Sequence, residues 1–221
     1  MKMVTRWLMM LMLPLIMAST ACAQEYTEGK QYLSLKASQP TSSGDKIEVL
    51  EVFYYGCPHC YRLEPELEGW LNSLPDDVVF IRMPAVFDPS WEPLAKAYYT
   101  AELLGVTDKL HTALFNAIHK NKRKIRDVAS LQKIFLEQGV SASEFTEAFN
   151  SFDVNAVKLP RAKQMAGKPP NKYGITGVPT IVVNGKYSTS ATQAGSNKNI
   201  IKVMDYLIAA ERASLAAATA Q

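Results

Sequence analysis

Cys57 and Cys60, with Pro58 and His59 between them, form a Cys-Pro-His-Cys turn, and these are the residues of the chain best suited to do chemistry. The preceding segment, 47–55, is rich in branched and aromatic residues and reads as a buried strand ended by Gly56. The following segment reads as a helix running to about Ser73, with Pro75 beyond it. Cys57 is therefore predicted where a strand gives way to a helix N-terminus. The first amides of a helix lack partners within it, and the dipole there is positive, so both favour a thiolate over a thiol. Pro58 suits the first helical position, where its missing N–H costs nothing. His59 can add a positive charge or a hydrogen bond beside the sulfur. All three lower the pKa of Cys57.

An acidic Cys57 has a redox consequence. Each pKa unit below ambient pH stabilises the reduced form by roughly 1.4 kcal/mol, or about 30 mV in a two-electron couple. The disulfide then becomes a strong oxidant, and Cys57 a good leaving group. Cys60, one turn inside the helix, is expected to be more buried and less acidic. Its role would be to resolve a mixed disulfide when the protein is reoxidised.

Other uses of this spacing fit less well. A haem site needs His directly after the second Cys, and position 61 is Tyr61. A zinc site usually needs a second ligand pair, and besides His59 only His111 and His119 remain. These two, eight residues apart on a predicted helix, read as surface or packing residues rather than ligands. A structural disulfide of this span closes too small a ring to stabilise much.

The rest of the chain sets the context. Of its 221 residues, the first 23 read as a secretory signal peptide: Lys2 and Arg6, an apolar run over 7–17, then Ala21-Cys22-Ala23 as a cleavage region. The run is too short to span a bilayer, and no later segment has enough consecutive apolar residues to do so. The alternative is a membrane-anchored lipoprotein carrying lipid on Cys22, although Ser19 stands where such sites usually have a large aliphatic residue. Only two of the 24 basic residues and none of the 21 acidic ones lie in this leader, so the remainder is nearly neutral. That balance argues against a nucleic-acid binder. The dense basic run Lys120, Lys122, Arg123, Lys124 and Arg126 reads as a solvated loop.

Residues 24–45 read as a polar arm with one short strand. A second strand is predicted over 78–83, so strand, helix and strand make a βαβ unit. From Ser90 to about Gly167 the pattern is helical throughout. Asp127 is expected as an N-cap, Gly139 as a stop, and Ser141 with Glu144 as a capping box. A helix from Asp153 is expected to be interrupted near Pro160. Strand character returns over 180–183, followed by the hairpin signal Asn184-Gly185 and a return strand from Lys186. A final amphipathic helix is expected from Ile200 to about Leu215, with a frayed end over 216–221. An α/β domain interrupted by a helical insertion is the economical reading.

Cys57-Pro58-His59-Cys60 followed by Tyr61 resembles the active-site turn of the DsbA family of periplasmic oxidants, within the thioredoxin superfamily. Gly177-Val178-Pro179-Thr180 resembles the superfamily's cis-proline loop, and Pro65 the proline that kinks its active-site helix. Asn184-Gly185-Lys186-Tyr187 resembles the family's hairpin. The resemblance covers essentially the whole chain after the leader. It implies a thioredoxin-like fold with an inserted all-helical domain: residues 24–89 and 168–221 form the thioredoxin-like part, and 90–167 the insertion.

The resemblance also implies roles. Val178 would precede a cis bond to Pro179, although read alone this proline would be an ordinary trans one. Its backbone would lie open beside Cys57, so that a substrate peptide can pair with it. Glu51 interrupts a strand of Val49, Leu50, Val52 and Phe53, and a buried carboxylate needs work or a partner. The resemblance places it beneath the active-site helix near Cys60, exchanging protons, with Arg82 as its basic partner; the alternative is an exposed edge strand. Glu48, nearer the strand start, is expected to be exposed. The implied reaction is disulfide transfer from a monomer to newly exported proteins, without metal or organic cofactor. A quinone-linked membrane protein of the DsbB type would restore the disulfide. The rivals are an isomerase or reductase using the same thiols, and a metal-binding carrier.

Overall fold

The computed structural model describes residues 25–125 and 127–219. The leader over 1–23, with Cys22, and Arg126 lie outside the described residues. Among the described residues, no helix is long and apolar enough to cross a membrane.

The strands are β1 (Leu33–Ser34), β2 (Ile47–Phe53), β3 (Val78–Pro84), β4 (Thr180–Val183) and β5 (Tyr187–Ser190). They form one mixed sheet in the order β1-β5-β4-β2-β3. The central strand β2 is parallel to β3 and antiparallel to β4, and all seven of its residues are buried. A strand covered on both faces needs a nearly continuous apolar sequence, which β2 has apart from Glu48 and Glu51.

Helix α1 (Pro58–Leu71) joins β2 to β3. Between β3 and β4 come α2 (Glu92–Leu103), α3 (Thr107–Phe115), α4 (Val128–Glu137), α5 (Ala142–Phe149) and α6 (Leu159–Ala166). The chain closes with α7 (Ala191–Ala194) and α8 (Asn197–Thr219). This is a thioredoxin-like α/β fold with a helical insertion.

The side-chain alternation of β2 sorts two cores. Ile47 and Val49 pack with Leu63, Leu67 and Trp70 of α1 and with Val203 and Leu207 of α8. Leu50 and Val52 join the larger core of the insertion, with Leu110, Leu114, Leu131 and Phe135. The sheet is thus a layer between the α1–α8 face and the inserted helices.

The expected caps form. Asp127 and Ser130 make a capping box at α4, and Ser141 and Glu144 make one at α5. At the hairpin, Asn184 and Gly185 both have positive φ, as a tight two-residue turn requires. A Cβ on Gly185 would sit 2.1 Å from the carbonyl oxygen of Gln39, so a side chain is excluded there by space as well.

Three local expectations change. Pro160 does not break its helix: a π-helical stretch, Asp153–Lys158, runs directly into α6, where Pro160 occupies the first turn and needs no N–H partner. Helix α8 continues to Thr219 instead of fraying from Ala216. Glu48 is buried, because the backbone N–H and hydroxyl of Ser42 donate to Oε2 at 2.7 and 2.9 Å.

Candidate active site

At the end of β2 the chain passes through Tyr54, Tyr55 and Gly56 into α1. A Cβ on Gly56 would lie 2.4 Å from the Tyr54 ring, so a side chain there would have to push that ring aside. Cys57 is the N-cap of α1 in extended conformation, and Pro58 opens the helix. Cys57 is half-buried, Cys60 fully buried, and Pro58 and His59 are exposed.

The two sulfurs differ sharply in acidity. A hydrogen bond from the Cys60 thiol is the main influence holding the Cys57 thiol down at about 6; burial opposes it, and the backbone amides of Cys60 and His59 assist. The charge of His59 is the weakest of these causes. Arg62 Nη2 lies 3.0 Å from His59 Nδ1 and donates to it. The helix start thus does more for the thiolate than the histidine side chain. Burial pushes the Cys60 thiol well above its ordinary value.

The loop before β4 brings in a segment distant in sequence. The Val178–Pro179 bond is cis. The Cys57 thiol donates to the Val178 carbonyl at 3.4 Å. His59, Ile175, Val178, Pro179 and Gln193 are among the residues lining an open groove of about 400 Å³ beside this point.

Beneath the thiols lies a buried charged cluster. Glu51 is completely buried and pairs in register with Arg82 on the neighbouring strand. Arg82 Nε donates to Glu51 Oε2 at 2.9 Å, and Arg82 Nη2 to Glu64 Oε2 at 3.1 Å. Burial first, and then the charge of Glu64, push the Glu51 carboxyl up to about 8, with Arg82 acting the other way. The structure therefore brings together Cys57, Cys60, Glu51, Arg82, Val178 and Pro179, and the exposed-edge alternative for Glu51 is excluded.

Sequence reasoning missed Glu64 and Tyr55, and it left open whether the two histidines pack inside or lie at the surface. Glu64 interrupts the apolar face of α1 between Leu63 and Leu67, the same signal that marks Glu51 in its strand. His111 is the packing residue of the two, buried against Phe53 and Phe115. Its Nδ1 lies 3.0 Å from the Tyr55 hydroxyl. His119 Nε2 lies 2.7 Å from the Tyr55 carbonyl oxygen, and its ring stacks on Tyr61. The insertion thus grips Tyr55, two residues before Cys57, through both its hydroxyl and its backbone.

A helix-capping acidic thiol, a buried partner thiol and a backbone edge beside them define a thioredoxin-fold dithiol oxidoreductase. Residues 79–201 match the family described as DSBA-like thioredoxin domain. The chain is 40% identical over 205 residues to the thiol:disulfide interchange protein DsbA of Pseudomonas aeruginosa, covering 93% of this chain and 95% of that one. It is also 40% identical over 200 residues to DsbA of Pseudomonas syringae pv. tomato, covering 90% and 91%. The crystal structure of Pseudomonas aeruginosa DsbA superposes with a TM-score of 0.80 at 40% identity, over 86% of this chain and 96% of that one. The chain belongs to the DSBA-like thioredoxin family.

Proposed function

We propose that this protein is a thiol:disulfide oxidase that donates its Cys57–Cys60 disulfide to newly exported proteins. The observation that carries this reading is the split between an acidic, accessible Cys57 and a buried, reluctant Cys60. A substrate thiolate attacks Cys57, the Cys57–Cys60 bond breaks, and Cys60 leaves with the electron pair. A second substrate thiolate then attacks the substrate sulfur of the mixed disulfide and displaces Cys57 as a thiolate. The substrate is oxidised by two electrons, and this protein is left as the dithiol.

Glu51 supplies a proton to Cys60 as it leaves and takes one back on reoxidation, which suits a carboxyl held near 8. Arg82 is its supporting partner. Pro58 and the helix start set up Cys57, with His59 a minor contributor. Val178 and Pro179 present a backbone edge on which a substrate segment pairs as an added strand. Residues 24–89 with 168–221 form the thioredoxin-like domain, and 90–167 the inserted domain that packs over the site.

The setting is the periplasm, reached by export with cleavage after Ala23 in preference to lipid attachment at Cys22. The protein acts as a monomer, and a DsbB-like quinone-linked membrane protein reoxidises it.

A redox titration of the Cys57–Cys60 pair, with thiolate absorbance followed in parallel, tests the proposal. An oxidising potential and a thiolate midpoint near 6 are expected. A strongly reducing, thioredoxin-like potential would turn the assignment toward a reductase. Stoichiometric zinc or copper on the freshly purified dithiol, without oxidase activity, would favour the carrier.

A further inference from the structure

The polar cluster under the thiols reaches one residue beyond the core domain. His111 comes from α3 of the insertion, and its Nε2 lies 3.2 Å from Glu64 Oε2, without the alignment of a hydrogen bond. Tyr55, His111, Glu64, Arg82 and Glu51 therefore form one line of contacts ending beneath Cys60. The charged and titratable groups facing the imidazole are Glu64 of α1, Arg82 of β3, Tyr55 after β2, Tyr98 of α2, and Asp108 on α3 itself.

Charge balance defines what this line must do. Two carboxylates share one guanidinium, so one negative charge remains and a proton is needed to neutralise it in so buried a place. Burial pushes His111 below its ordinary value, which leaves the ring neutral. The Tyr55 hydroxyl, raised well above its usual range by burial, keeps its proton, and with an acceptor carboxylate facing Nε2 it is Nδ1 that accepts from it. The remaining ring N–H then sits on Nε2, facing Glu64. A phenylalanine would fill the aromatic surroundings of Phe53 and Phe115 as well as histidine does. The imidazole adds the polar link, in a pocket where Glu51 Oε1 and Glu64 Oε1 also lack hydrogen-bond partners among the described residues.

We propose that His111 is a positioning residue for thiol exchange: oriented by Tyr55, its imidazole steadies the charge on Glu64, and Glu64 in turn keeps the shared proton on Glu51 beneath Cys60. The inference rests on the reading of Glu51 as the group that exchanges protons with Cys60. Without the imidazole, Glu64 holds its charge less well and competes for the proton, so Glu51 releases it at lower pH. Removing the Glu64 charge outright acts in the same direction.

The test is a pH titration of carbon-labelled glutamate carboxyls by NMR in the reduced protein, for wild type, His111→Phe, Glu64→Gln and the double variant. The Glu51 midpoint, near 8 in wild type, is expected to fall by about one unit or more in each single variant, a tenfold loss of proton affinity. The double variant should fall no further than Glu64→Gln alone, and His111→Gln, whose amide can replace Nε2, should recover much of the wild-type value. Should His111→Phe fold poorly, Tyr55→Phe removes only a hydroxyl and must also lower the midpoint. Unmoved midpoints in both His111→Phe and Tyr55→Phe, or additive shifts in the double variant, overturn the inference. Glu51→Gln separates the two levels. If the titration near 8 persists in it, the Glu51 reading itself fails; if it vanishes while the His111 variants do nothing, only the role of His111 falls.

Discussion

The sulfur of Cys57 and the carbonyl oxygen of Val178 lie 3.4 Å apart although 121 residues of chain separate them. The attacked sulfur thus sits against a backbone edge on one side and deeper thiol chemistry on the other. Cys57→Ser is expected to reduce disulfide transfer to a reduced peptide to background. Cys60→Ser is expected instead to accumulate mixed disulfides visible on non-reducing gels, because the resolving thiol is gone. Wild-type turnover by either variant would count against the mechanism.

The acidity of Cys57 links redox state to stability. Its folded value near 6 lies below the ordinary thiol value of 9.0. A depressed acid stabilises the native state fully above its unfolded pKa, and that contribution is lost as pH falls through the folded one. The disulfide form has no such thiol. The stability of the reduced form relative to the disulfide form should therefore rise between pH 6 and 9 and be flat below. Glu51 contributes an opposite slope, but in both forms, so it largely cancels in the difference. Urea unfolding of both forms across this window is the measurement, and a constant difference would show that Cys57 is not acidic.

Arg82 is the cation shared by Glu51 and Glu64. Arg82→Met leaves the Glu64 carboxylate without its counter-ion and the Glu51 carboxyl without its donor, and loss of one partner from a buried pair typically costs about 3–5 kcal/mol. That penalty should shrink in acid, where no charged carboxylate is left to lose its counter-ion. Urea unfolding at neutral and acid pH checks it; an equal loss at both would point to packing in place of charge.

Phe53 ends β2 with no exposed surface and meets Tyr55, Tyr98, His111 and Phe115 edge-on or tilted. Phe53→Ala is expected to lower the unfolding free energy by about 3–5 kcal/mol through the cavity it leaves. It should also loosen the ring cage around His111. A loss below about 1 kcal/mol would mean that the insertion collapses into the space.

Much of this molecule was legible in local sequence. The strand–Cys57–helix junction, the caps at Asp127 and Ser141 and the Asn184-Gly185 turn follow from backbone rules that act over a few residues, and all are present. Glu51 stood out because a carboxylate in an apolar strand needs a partner. Errors arose where tertiary contacts override local preference. Glu48 is buried because Ser42 bonds to it, and Pro160 is accommodated by a π-helical turn before it.

By itself, then, the sequence determined the thiol pair, the helix start that acidifies Cys57 and the alternation of strands and helices, since each depends on neighbours along the chain. Only the tertiary structure decided that the insertion reaches under the thiols, with His111 and His119 gripping Tyr55 and Glu64 sharing Arg82 with Glu51. The physical reason is that a buried charge is set by everything around it in space. Glu51 answers to Glu64 of α1 and Arg82 of β3, whose positions no local pattern encodes.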